Sequence, residues 1–178
     1  MKKLIALALS LIFVLCPLLS ASAEIDRQAI IAAANDALGA VMPGMTVEEN
    51  DGAWLIAYQG IGLGAISFLN TDENGVIAEG EDNSVMLMSL YTPEGENDEY
   101  FEGFQMSFLG MGAALMQAAA QGSGFEENLS ALSGAFSEAA TSETAGAAFE
   151  ANGCSHLIAA SVRDGSFLLA LLIRLPEA

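Results

Sequence analysis

Beyond Lys3 this chain contains no lysine, and its remaining cations are Arg27, Arg163 and Arg174, set against 23 carboxylates. A surface so poor in positive charge repels phosphate backbones and anionic lipid headgroups within a Debye length of about 8 Å. The expectation is therefore no nucleic-acid binding, with cationic partners and metal ions electrostatically favoured. The same acidity also keeps a protein soluble without any further role. Cysteine is scarce as well. Cys16 lies in the N-terminal apolar stretch, which leaves Cys154 alone in the rest of the chain, so no intramolecular disulfide is expected and stability rests on the core. Aromatic residues make up 7% of a sequence that is 53% hydrophobic. Apolar content that high, with few aromatics and many Ala, Gly and Met, belongs to a folded domain and not to a disordered one.

Several catalytic signatures are missing. There is no Gly-x-Ser-x-Gly elbow, and His156 is the one histidine a serine nucleophile would have to use. Gly60, Gly62 and Gly64 alternate, but neither a lysine nor a capped helix follows them as a phosphate loop requires. They predict a bend or bulge in a sheet. No internal repeat and no second domain is legible.

At the N-terminus, Lys2 and Lys3 precede the apolar run Leu4 to Leu19, which Pro17 interrupts before the small residues Ala21-Ser22-Ala23. This is the pattern of a secretory signal peptide, with cleavage predicted after Ala23. A retained membrane anchor needs about 20 continuous apolar residues, so stable membrane insertion is not expected once the leader is removed. Lipid attachment at Cys16 is disfavoured by the bulky Leu15 before it. The sequence thus divides into a signal peptide, 1–23, and a single α+β domain, 24–178, placed in the periplasm or secreted.

Asp26 is positioned to cap a helix in which Ile30, Ile31, Ala34, Leu38 and Val41 recur at helical spacing up to Pro43-Gly44. Then the pattern shifts to β. Runs at 46–49 and 53–58 flank an Asn50-Asp51-Gly52 turn, runs at 65–69 and 76–78 bracket Asp72-Glu73-Asn74-Gly75, and another run covers 84–91. An acidic turn, Pro93 to Asp98, leads into a helix seamed by Phe101, Phe104, Phe108, Met111 and Leu115. Its small residues, among them Gly110 and Ala114, suit close approach by a second helix. A further helix carries Phe125, Leu129, Leu132 and Phe136, and after a break at Thr141-Ser142 a short helix is expected to reach Phe149 and stop at Asn152-Gly153. Two strands, 156–162 and 167–175, joined at Asp164-Gly165, close the chain. The fold class is therefore α+β: an antiparallel sheet of about six or seven strands, the central meander plus the C-terminal hairpin, covered by three or four helices.

Two constellations carry candidate chemistry. In Asn70 to Glu81, Asn70, Asp72, Asn74 and Glu81 fall at loop positions one, three, five and twelve around Gly75, a spacing that resembles an EF-hand calcium loop. Hard oxygen donors gathered by a sharp glycine turn are what calcium takes. Asn70 replaces the usual Asp, however, and β-type runs replace the two flanking helices, so the competing expectation is a hairpin turn without metal. In Cys154-Ser155-His156, residues two apart on a strand share a face, which brings a thiol and an imidazole together as nucleophile and base. A thiolate also needs positive surroundings that this chain lacks, and the same two residues fit the end of an apolar core face. The acidic stretch Glu94 to Glu102 is either a solvated loop or a docking surface for a basic partner.

The leading functional expectation is a non-enzymatic binding or interaction module that takes a protein or small-molecule ligand. The alternatives are a calcium-binding or calcium-stabilised protein using the 70–81 loop, and a cysteine-dependent hydrolase using Cys154 and His156.

Overall fold

The computed structural model describes residues 25–50, 53–72, 74–93, 100–120, 123–142 and 145–176. The Asp26 Oδ1 accepts a hydrogen bond from the Ala29 N–H at 2.9 Å and so caps α1 (Arg27–Val41), satisfying a donor that the first helical turn leaves unpaired. Ile31, Ala34 and Leu38, spaced by three and four, form its buried face. After it come β1 (Met45–Asn50), β2 (Ala53–Tyr58), β3 (Ile61–Leu69), β4 (Ser84–Tyr91), α2 (Phe101–Ala119), α3 (Phe125–Thr141), β5 (Gly146–Ala151), β6 (Cys154–Arg163) and β7 (Ser166–Arg174).

These seven strands form one antiparallel sheet in the order β1-β2-β3-β4-β7-β6-β5. The chain meanders from one edge to the centre, crosses over through α2 and α3, and meanders back from the opposite edge to meet itself at β4 and β7. Tight turns hold the strands in register. Gln59-Gly60, Asn152-Gly153 and Asp164-Gly165 each place two successive residues at positive φ, the geometry whose twist suits a hairpin. Asn50 pairs with Ala53, while the Asp51 and Gly52 of the expected turn lie outside the described residues. Between Gly62 and Gly64 the register slips, with Ile56 opposite Gly64 and Ala57 opposite Gly62, so the alternating glycines accommodate a bulge.

The sheet-plus-helices architecture and its α+β class hold, but two local expectations need correcting. The segment expected as a short helix to Phe149 is strand β5, because Asn152-Gly153 reverses the chain and β6 supplies a continuous ladder from Ala151↔Cys154 to Gly146↔Ala159. The strand expected at 76–78 is reduced to one bridge, Thr71↔Ile77.

The centre of α2, from Phe108 to Met116, is buried all round, wedged between α1, α3 and the sheet. Gly112 makes this possible. A Cβ there would lie 2.5 Å from Leu132 Cδ2 on α3 and 3.0 Å from Leu171 Cδ2 on β7. Among the described residues, no helix is long and apolar enough to cross a membrane.

Candidate functional site

Side chains alternate between the two faces of a strand. In β7, Leu169, Leu171 and Ile173 are buried within the core, whereas Leu168, Ala170 and Leu172 point the other way and are half-buried. In β4 the split is between buried Val85 and Leu87 on one face and Met86, Met88 and exposed Leu90 on the other. Of these outward-facing residues, none joins the buried core cluster or packs against it. Among the described residues, the helices therefore cover one face of the sheet and leave the second without a layer of its own.

That open face is apolar, and the strand register orders it into rows. One row runs Ala65, Met88, Ala170, Ala159 across β3, β4, β7 and β6. On one side of it lies Ser67, Met86, Leu172, Leu157, and on the other Leu90, Leu168, Ser161. The middle row thus holds three alanines and Met88, and the rows beside it are mostly Leu and Met, with Ser67 and Ser161 near their ends. No carboxylate stands on this face of β2, β3, β4, β7 or β6. Charge of both signs comes at its margins: Glu48 on β1, opposite Leu55, and Glu150 on β5, opposite Ser155, both exposed, and Arg174 on β7, also opposite Ser155.

The β3–β4 connection closes one end of this face. Asn83 Oδ1 accepts from the Thr71 N–H at 2.9 Å and from the Ser84 hydroxyl at 2.7 Å, while Asn83 Nδ2 donates to the Thr71 carbonyl at 2.8 Å. This half-buried clasp pins the base of the loop, and an Arg27–Asp82 ion pair ties it to α1. At the tip, Asp72 Oδ1 accepts from the backbone N–H groups of Asn74 and Val76, each at 2.9 Å. The Val76 N–H is the main influence holding the Asp72 carboxyl below the usual range; Asn74 adds to it and Arg174 contributes charge. A Cβ on Gly75 would sit 3.3 Å from Leu172 Cδ2 and 3.5 Å from Leu157 Cδ2, so the tip lies on the open face. Beyond it Val76 and Ile77 are 61% and 70% exposed, which extends the apolar surface.

Of the four candidate calcium ligands, the loop brings Asp72 and Asn74 together through that backbone hydrogen bond. Asn70 Nδ2 instead donates to the Glu79 carbonyl at 2.8 Å, and Glu81 is exposed. Among the described residues, no group of three or more His, Cys, Asp or Glu is assembled that could hold a metal ion. The Glu94 to Glu99 part of the acidic stretch lies outside the described residues.

Cys154 and His156 both face the helices and are buried, 1% and 3% exposed. Burial pushes the thiol up, and the Glu150 charge adds to this. Burial pulls the imidazole down, offset only in part by backbone at Cys154 and Phe149 and by Glu150. The ring stacks on Phe149 at 4.7 Å between centroids, and its Nδ1 has no hydrogen-bond partner among the described residues. Both groups are thus held neutral and away from solvent.

A residue the sequence reading passed over is Asn128, fully buried on α3. Its Oδ1 accepts from Asn152 Nδ2 at 2.7 Å and its Nδ2 donates to Ser123 Oγ at 3.0 Å, which joins the start of α3 to the β5–β6 turn. The signal was present. Asn128 falls three after Phe125 and four before Leu132, on the apolar side of its helix. The open face was missed because alternation separates two faces without saying which one the helices take.

The fold places the chain in the class of α+β proteins built as one antiparallel sheet with helices on a single side. No protein-family model, curated protein or solved structure matches it.

Proposed function

We propose that this chain is an extracytoplasmic, non-enzymatic binding module whose binding surface is the open face of the sheet. One observation carries the reading: a chain with 23 carboxylates has none on the central five strands, and the middle of their open face presents Leu, Met and Ala, with Ser67, Ser161 and Arg174 toward its borders. Contiguous apolar surface rimmed by polar groups marks a contact site in soluble proteins. The leader pattern at 1–23 supports an extracytoplasmic setting.

The test uses the mature chain from Glu24 and an anilinonaphthalene sulfonate dye that fluoresces on apolar surface. The native protein is expected to bind the dye well below its melting temperature, and Met88→Glu and Leu172→Glu to abolish that signal with little change in Tm. Dye binding that is absent, or unchanged in both variants, overturns the reading.

A further inference from the structure

We infer that β5 is an acid-released edge strand: protonation of His156 frees it from β6 and α3 and lets water reach the imidazole and the Cys154 thiol. The inference goes beyond the reading of the open face, since both residues lie on the covered side of the sheet. His156 is 3% exposed, and its Nδ1 has no hydrogen-bond partner among the described residues. Its cross-strand neighbours are Phe149 on β5 and Ile173 on β7, and α3 packs over β5 and β6. The charged groups of these elements stand elsewhere. Glu150 and Arg174, one residue on from Phe149 and Ile173, belong to the opposite face, Arg163 closes the far end of β6, and Glu126, Glu127 and Glu138 of α3 are exposed. An imidazolium formed in place is therefore buried without a counter-charge, which is unfavourable unless the ring reaches water.

β5 is the element that yields. It is six residues long, stands at the edge of the sheet and pairs with β6 alone. Gly146, Ala147 and Ala148 carry no side chain larger than a methyl, so opening them exposes little apolar surface. Beyond the ladder, β5 and its turn are held by the Phe149 ring stacked on His156 at 4.7 Å, by Ser142 Oγ donating to the Gly146 carbonyl at 3.0 Å, and by Asn152 Nδ2 donating to Asn128 Oδ1 at 2.7 Å. Edge elements of this kind open locally at lower cost than the whole domain unfolds. β7, on the other side of His156, is paired on both edges and carries buried Leu169, Leu171 and Ile173. Burial holds the closed ring below its ordinary pKa, offset in part by the Cys154 backbone, Glu150 and the Phe149 backbone. In the opened strand the ring returns to about 6.5. Opening thus takes up a proton and is favoured as pH falls.

Cys154, 1% exposed and on the same strand face, reports the opening. The mature chain from Glu24 has no other cysteine. Its rate of labelling by dithiodipyridine, which reacts with thiols in acid as well as at neutral pH, is divided by the rate for the urea-unfolded chain at the same pH. This ratio is expected to rise by up to about eightfold between about pH 7 and about pH 5.5, the factor set by a ring that titrates near 6.5 when opened. His156→Phe, which keeps a ring against Phe149, and His156→Gln take up no proton there, and each is expected to hold the ratio constant within about twofold. Hydrogen exchange, corrected for its intrinsic pH dependence, is expected to lose protection over the same range in β5 and the β6 amides paired with it, and to keep it in β2 and β3.

A labelling ratio that does not change with pH overturns the inference. So does an equal rise in both His156 variants, which assigns the proton to another group. Protection lost alike in β2 and β3 overturns it as well, because acid then unfolds the whole domain instead of freeing one edge.

Discussion

The two faces of this sheet are both largely apolar and live in opposite surroundings. β7 reads Phe-Leu-Leu-Ala-Leu-Leu-Ile from 167 to 173, with Leu171 wholly buried and its neighbour Leu172 half-buried beneath a single loop tip. An antiparallel sheet with one solvated face normally alternates apolar and polar residues, whereas a near-continuous apolar run belongs to a strand covered on both sides. The central strands β4 and β7 carry the second pattern in a fold that supplies the first environment. That mismatch is the physical argument for a partner.

The comparison breaks first at Leu171 and Leu172. Leu171→Ala removes a side chain that packs on α2 at Gly112, and the expected loss is about 2–5 kcal/mol, the range for buried leucine truncations. Leu172→Ala, one residue on, is expected to cost below about 1 kcal/mol. Denaturant unfolding of both variants measures the difference. Comparable losses would mean that the open face is packed after all.

Next in size is Asn128→Ala. It leaves Asn152 and Ser123 without their shared partner under α3, at a cost of about 1–3 kcal/mol by equilibrium unfolding. The effect belongs to the helix-covered layer, so dye binding on the open face should not change with it. A rise in dye signal in the folded variant would show that the two faces are coupled.

What was legible in the sequence follows the strength of local signals. The cap at Asp26 and the hairpin at Asp164-Gly165 could be read because one side chain or one turn decides them. The 146–151 segment could not. Gly-Ala-Ala-Phe-Glu-Ala suits a helix as well as an edge strand, and it is pairing with β6, a tertiary effect, that decides. The bridge at Ile77 likewise gave too little pairing to make a strand, since the clasp of Asn83 on Thr71 pulls the loop shut just below it. For the candidate site, the apolar residues were visible but not their direction, because the choice of face is made by α1, α2 and α3 together.

A smaller effect comes from His156 on the covered face. Its folded pKa lies below the unfolded value of about 6.5, so between the two the unfolded chain binds a proton that the native chain does not. The stability it permits is complete above pH 6.5 and falls as pH drops toward the folded value, at up to about 1.4 kcal/mol per pH unit. His156→Phe keeps a ring against Phe149 and is expected to flatten the dependence of Tm on pH between 7 and 5. A slope as steep as the parent's would place that titration elsewhere.

The smallest effect is expected at Asp72, where the loop tip meets the open face. Its carboxyl titrates below the ordinary range when folded, so its contribution is present above about pH 4, the unfolded value, and is lost as pH falls through the folded one. Asp72→Ala should therefore melt slightly below the parent at pH 7 and converge with it as pH falls through the folded value. The variant also frees the Asn74 and Val76 N–H groups that shape the tip, so Gly75 should rest less firmly on Leu172 and Leu157 and dye binding to the face should rise. The same two proteins decide the calcium reading of Asn70, Asp72, Asn74 and Glu81. A loop shaped by its own hydrogen bonds responds to calcium and magnesium alike at matched ionic strength, and that is the expected result. A calcium-selective rise in Tm that Asp72→Ala removes would make the tip a metal site, and the open face would then have a cover whose hold on Leu172 depends on an ion.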